Sequence, residues 1–203
     1  MIDSPYKIRT FYKALGVAPF EQNEIELIII THGHFDHIST IREIKENTGA
    51  KLVIHRNDIQ GLKGSTIPVP AGVTLWGDLS RVMLNTFLTP FLNTQPVDAD
   101  IILRDEGLSL YEYGVSGRVF HTPGHTGGSC SVLLDSGEAF VGDLAMNSLP
   151  LCFSPRISIY SNDFKALVQS WRLLLSRGAE TIYPGHGEPF SADIIRESID
   201  RIE

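Results

Sequence analysis

The chain has 203 residues, 42% of them hydrophobic and 20% charged, with a formal net charge of −7. That apolar share sustains an ordinary core without disulfide or metal staples, and the acidic balance argues against a nucleic-acid backbone as the main partner. No apolar run approaches the ~20 residues of a membrane span and no basic-then-apolar leader follows Met1, so the reading is a soluble, cytoplasmic protein without a membrane role.

In chain order, Ser4-Pro5 marks a helix start, with Ser at the cap and Pro in the first turn. That helix is expected to run to Leu15 and stop at Gly16. Ile25 to Thr31 reads as a short β-branched strand. A helix follows over roughly His37 to Asn47, with Ile38, Ile41 and Ile44 at helical spacing and Gly49 closing it. Lys51 to His55 reads as a strand. Gly61 to Asp100, with Pro68, Pro70, Pro90 and Pro96, reads as an insertion of one or two helices within a single 1–203 domain. Strands are expected at Ile101–Arg104, Leu108–Tyr113, Arg118–Thr122, Ser129–Leu134 and Ala139–Val141, the last two joined by the Asp135-Ser136-Gly137 turn. Ser161 caps a long helix to about Arg177. Glu180–Tyr183 is a final strand, and a C-terminal helix begins at Ser191. Cys130 and Cys152 form no CxxC and read as reduced, semi-buried thiols.

The chemical signal is Thr31-His32-Gly33-His34-Phe35-Asp36-His37, directly after a strand. Extended backbone alternates side chains, so His32, His34 and Asp36 project to one side, and His37 opens the next helix. Imidazole and carboxylate donors suit zinc and related divalent ions. Three further pieces place a polar side chain just past a strand end: His125 in His121-Thr122-Pro123-Gly124-His125-Thr126-Gly127-Gly128-Ser129, Asp143 in Val141-Gly142-Asp143, and His186 in Tyr183-Pro184-Gly185-His186-Gly187. Each piece is weak alone.

In this order the motifs HxHxDH, HTPGHTxGS, GD and PGHG resemble the metallo-β-lactamase superfamily of hydrolases, across nearly the whole chain. The resemblance implies an α/β four-layer αβ/βα sandwich with metals at one edge of the paired sheets. It implies one metal held by His32, His34 and His125, a second held by Asp36, His37 and His186, and Asp143 bridging them. The implied cofactors are two divalent ions, zinc first, with iron or manganese as substitutes. Such a pair shares one water and lowers its pKa toward ~7, providing a bridging hydroxide nucleophile. Asp36 is then both ligand and proton relay, the catalytic side chain. Asp3 is a candidate to orient the imidazoles, because Met1-Ile2-Asp3-Ser4-Pro5 resembles a strand-Asp-[Ser/Thr] element of the family. His121 is read as hydrogen-bonded support and His55 as structural.

Asp143 fits branches similar to glyoxalase II, lactonases and phosphodiesterases, and the expected reaction is hydrolysis of a small ester, thioester, lactone or related substrate. Alternatives are a mononuclear iron dioxygenase of the persulfide dioxygenase type, a phosphodiesterase or nuclease, and a non-catalytic scaffold. Only sixteen residues follow Gly187, without the C-terminal lobe of glyoxalase II. The chain also opens inside the element that Asp3 belongs to, so either the first N-terminal strands of the family are missing or the sequence starts late within the protein. The sheet edge thereby exposed invites a homodimer. Trp76, Met83, Phe87, Leu88 and Phe91 are candidates for a substrate-binding wall, with core packing as the plain alternative.

Overall fold

The computed structural model describes residues 1–64, 67–92, 94–148, 152–153 and 156–202. Its first sheet is parallel, in the order β1 (Leu27–Ile29), β2 (Lys51–His55), β3 (Ile101–Leu103). Ile2 bridges to Ile29 in parallel, so the N-terminal residues line the free side of β1. β1 and β2 are apolar without alternation because both of their faces are covered. Leu27, Ile29 and Val53 turn one way, into a core shared with Val119, Cys130 and Val132 of the second sheet. Ile28, Ile30, Leu52 and Ile54 turn the other way, against Phe11 of helix α1 (Ile8–Leu15) and Ile41 and Ile44 of a helix at Ile41–Thr48. A short helix, α2 (Phe35–Ile38), lies between these two, so the Ile41–Thr48 helix is α3.

After α4 (Leu75–Phe87), the second sheet builds from β4 (Leu108–Ser109), β5 (Gly117–His121), β6 (Cys130–Leu134) and β7 (Glu138–Gly142). A small hairpin, β8 (Cys152–Phe153) and β9 (Ile157–Ser158), stands apart; α5 (Phe164–Ser176) and the strands β10 (Thr181–Pro184) and β11 (Phe190–Ser191) follow, and α6 (Asp193–Ile202) is last. The six-stranded order is β11-β10-β7-β6-β5-β4, with β10 parallel to β7 and the β4–β7 run antiparallel. Leu133, Ala139, Val141 and Ile182 on its outer face pack against Leu167, Trp171 and Leu174 of α5 and Ile195 and Ile199 of α6. The layers are therefore helix, sheet, sheet, helix, as expected.

Several boundaries differ from the sequence reading. Ser4 caps no helix: its hydroxyl donates to the His37 carbonyl (3.0 Å), and α1 starts at Ile8 with no side-chain cap. The single helix expected from His37 is two, broken at Ser39-Thr40, where the Thr40 hydroxyl donates to the Pro5 carbonyl (2.7 Å). Asp163 caps α5, accepting from the Ala166 amide at 2.9 Å, while the Ser161 hydroxyl donates to the Gly124 carbonyl. The strand expected at Leu108–Tyr113 stops at Ser109 and becomes a 3₁₀ turn. Cys130 is buried and unpaired by any disulfide, and burial pushes its thiol pKa up; the Cys152 side chain lies outside the described residues. No described helix is long and apolar enough to cross a membrane.

Ile44 is fully buried between α3 and the first sheet. Ile44→Ala leaves a cavity there and is expected to cost about 2–5 kcal/mol of unfolding free energy, read as a lower urea midpoint at unchanged slope.

Candidate metal centre

Strand β1 ends at Ile29, and the next residues carry the first cluster. His32 and His34 are buried in the loop, and Asp36 and His37 sit in the first turn of α2. His125 is buried in the turn between β5 and β6 and Asp143 is buried directly after β7, while His186 stands half-buried after β10. These four chain segments leave their sheets at the same edge and converge. Donor atoms of His32, His34 and His125 lie within 4.8 Å of one another, as do those of His32, His37 and Asp143 and those of Asp36, His37 and His186.

Asp143 stands between the two halves. Its Oδ2 is 3.8 Å from His32 Nε2 and 3.7 Å from His125 Nε2; its Oδ1 is 3.3 Å from His37 Nε2 and 3.6 Å from His186 Nε2. His186 Nε2 is also 3.1 Å from Asp36 Oδ2. The outer nitrogens are anchored, which aims the inner ones. His37 Nδ1 donates to Asp3 Oδ2 at 2.8 Å, and His125 Nδ1 donates to the Tyr160 carbonyl at 3.1 Å. The Thr31 hydroxyl donates to Asp3 Oδ2 (2.7 Å) and so accepts from His32 Nδ1 (3.1 Å). Asp3 thus orients one imidazole from each half, with its other oxygen on the Thr31 amide (2.7 Å). It does so from a left-handed backbone conformation, φ 53°, uncommon for a non-glycine residue and typical of a strained functional position.

Several of the inner atoms lack a partner. Nε2 of His32, His34 and His37 and Oδ1 of Asp143 are buried without a hydrogen-bond partner, and His125 Nε2 faces His34 Nδ1 at 3.0 Å. Burial, then neighbouring imidazoles, holds the His32 pKa well below its usual value; the same pair of causes brings His34 to about 3, and burial lowers His125. Burial opposes the charge on His37 and Asp143 too, but their mutual attraction overcomes it, raising His37 and holding Asp143 well below the carboxylate range. A hydrogen bond to Asp36 raises His186. Neutral imidazole nitrogens and carboxylates facing inward in a buried cluster form the donor set of a divalent-ion site.

A family model for the metallo-beta-lactamase superfamily matches residues 5–186. The chain belongs to the metallo-β-lactamase superfamily. It is 30% identical over 169 residues to a probable metallo-hydrolase of Methanocaldococcus jannaschii, MJ0888, covering 81% of this chain and 71% of that one. It is 24% identical to a probable metallo-hydrolase of Bacillus subtilis, YflN, over 88% of this chain and 70% of the relative. A hydroxyacylglutathione hydrolase of Shewanella loihica is 28% identical over 125 residues, which are 61% of this chain and 35% of the relative's length. Among solved structures, the BLEG-1 B3 metallo-β-lactamase superposes with a TM-score of 0.64 at 22% identity, over 94% of this chain and 80% of that chain. TTHA1623 in a di-iron-bound form superposes at 0.60 and 23%, over 95% and 84%. At such identities these two establish the shared fold.

In this superfamily member a cavity of about 130 Å³ opens over the cluster, with His34, Asp36, His125, Asp143 and His186 on its floor. Its apolar wall is Ile67, Val69, Leu84, Leu88, Met146 and Tyr160. Of the wall candidates from sequence only Leu88 lines this cavity. Trp76, Met83, Phe87 and Phe91 are exposed and do not; the helical period puts Leu84 and the capping Leu88 on the inner side of α4 and Trp76, Met83 and Phe87 away from it, while Phe91 lies in the turn after the helix.

One support went unread in the sequence, and a second was read without its geometry. Buried Asp58, just past β2, accepts from the Gly33 amide (2.9 Å) and the Thr126 hydroxyl (2.7 Å), tying together the two loops that carry His32, His34 and His125. The signal was there in kind, an acid just beyond an apolar strand. Secondly, His55 and His121 stack with ring centroids 4.0 Å apart and planes 10° from parallel, near Asp105, which Arg56 grips with two 3.0 Å bonds. Parallel rings send their lone pairs side by side, and the carboxylate is already neutralised, so this trio suits a strut better than an ion site. His121 Nε2 bonds the Gly127 carbonyl (3.0 Å), the support expected of it.

Gly185 brings bare backbone against the cluster. A Cβ there would lie 2.6 Å from Asp143 Oδ1 and 2.7 Å from His37 Cε1. Gly185→Ala is expected to displace both and weaken metal binding about 10–100-fold, measured by titration of chelator-stripped protein with zinc, with the far-ultraviolet circular dichroism spectrum retained.

Proposed function

We propose that this chain is a dinuclear metal-dependent hydrolase of a small ester, thioester or lactone with an apolar portion. The observation that carries this reading is the placement of Asp143, one carboxylate oxygen toward His32 and His125 and the other toward His37 and His186. One ion would be held by His32, His34 and His125, the other by Asp36, His37 and His186, with Asp143 shared. Zinc suits the nitrogen and oxygen donors; iron and manganese accept the same set. Bound ions of this kind supply Lewis-acid polarisation of the scissile group and an activated water at neutral pH.

The chain's own residues do the rest. Asp36 is at the cavity floor, hydrogen-bonded to His186 through Oδ2. Its carboxylate is the group positioned to take a proton from the attacking water and return it to the departing oxygen or sulfur. Met146, Leu84, Leu88, Ile67 and Val69 take up the apolar part of the substrate and exclude bulk water from the reacting centre. The hydroxyacylglutathione hydrolase relative supports the thioester class within this range, and the free, buried Cys130 thiol suits a reducing, cytoplasmic setting. The Asp36, His37 and His186 group offers a second donor set, and metal content per chain, two ions against one iron, separates this reading from the dioxygenase one.

The test couples metal analysis to a substrate panel. Wild-type protein should carry close to two divalent ions per chain and hydrolyse at least one generic ester, thioester or lactone, with less turnover of bis-p-nitrophenyl phosphate. Asp143→Ala should lose the second ion and at least about 10²-fold in kcat/KM, on the scale of removing one electrostatic contribution from a site. One iron per chain, or full turnover in Asp143→Ala, would contradict the proposal.

A further inference from the structure

Helix α4 has two apolar sides, and the body of the protein covers one. Leu84 and Leu88 line the cavity, Gly77 and Ser80 are buried, and the Ser80 hydroxyl is 2.8 Å from the Tyr160 hydroxyl. The opposite side carries Leu75, Leu79, Val82, Met83 and Phe87, exposed to 91, 66, 53, 54 and 73%, with Phe91 at 79% in the turn that follows. Scattered exposed leucines need no explanation, but a continuous stripe does. At these exposures the five side chains of α4 alone present roughly 600–700 Å² of mostly apolar surface, above the usual largest patch on a monomer and close to the ~800 Å² that one partner contributes to a stable interface.

We infer that this face is the contact between two copies of the chain, with α4 packed antiparallel on α4 of the partner about a two-fold axis. The stripe is self-complementary in the way such an axis demands. Centred near Arg81, the arrangement sets Leu75 opposite Phe87 and Leu79 opposite Met83 of the second copy, while Val82 meets its own equivalent close to the axis. The charge pattern agrees. Asp78 and Arg81 pair within the helix at 3.4 Å, flanking the stripe without interrupting it. A membrane surface fits less well. The helix has one basic side chain and the chain a net charge of −7, where interfacial helices are rich in Lys and Arg. Because Leu84 and Leu88 project from the same helix onto the cavity, the contact would also brace the wall of the proposed active site.

The test needs neither metal nor substrate, so its outcome is independent of the hydrolytic reading. Sedimentation velocity of the full chain at micromolar concentration should give the mass of two chains, and the double variant L79D/F87D the mass of one, with an unchanged circular dichroism melt. In Val82→Cys, mild oxidation should yield a covalent dimer whose cross-link maps by peptide mass to residue 82 on both chains, whereas Val115→Cys, exposed at a distant turn, should yield none through residue 115. A monomeric parent chain overturns the inference. So does a dimer that survives L79D/F87D without a residue-82 cross-link, or a monomer that co-sediments with phosphatidylcholine vesicles.

Discussion

The structure depends on a cluster of polar atoms that cannot satisfy one another. Three imidazole nitrogens and a carboxylate oxygen are sealed from water without partners, a condition that costs roughly 1–3 kcal/mol for each such group. Hydrogen bonds that His37, His32 and His125 donate to Asp3, the Thr31 hydroxyl and the Tyr160 carbonyl fix those ring orientations and so keep their lone pairs pointing inward. A divalent cation fits that arrangement, because it would accept those lone pairs. Stability has been given up locally to hold a charge-seeking centre, and the four surrounding layers must supply enough apolar burial to compensate.

The layers also explain where the centre sits. Both sheets are covered on their outer faces by helices and on their inner faces by each other, so side chains within the strands are committed to packing. Polar groups are free to gather only where strands end. β1, β5, β7 and β10 each release a polar residue at the same edge, and Asp58 just past β2 ties the histidine loops together. Helix α4 then roofs that edge, contributing Leu84 and Leu88 to the cavity while leaving its other side bare.

Much of this was legible from the order of residues. The β-branched run from Ile25 to Thr31 marked a strand, and His32 to His37 marked a polar cluster at its end. Helix starts were less legible. Ser4 and Ser161 have the chemistry of caps, but their hydroxyls are used by distant carbonyls of His37 and Gly124. Ser39-Thr40 gave no sign of breaking a helix, because the break depends on a hydrogen bond to Pro5. The wall residues of α4 were misassigned for a related reason: periodicity reveals an amphipathic helix but not which of two apolar sides faces inward.

By itself the sequence determined the strand-and-helix alternation, the superfamily and the residue types able to bind a divalent ion, because those properties rest on local patterns a few residues long. Tertiary structure alone decided that His125, Asp143 and His186 meet the His32–His37 segment, that Asp143 faces both halves, and that Leu84 and Leu88 rather than Trp76, Met83, Phe87 and Phe91 border the cavity. These are distances and directions between segments far apart in the chain. They are set by how two sheets pack face to face, which no local pattern encodes.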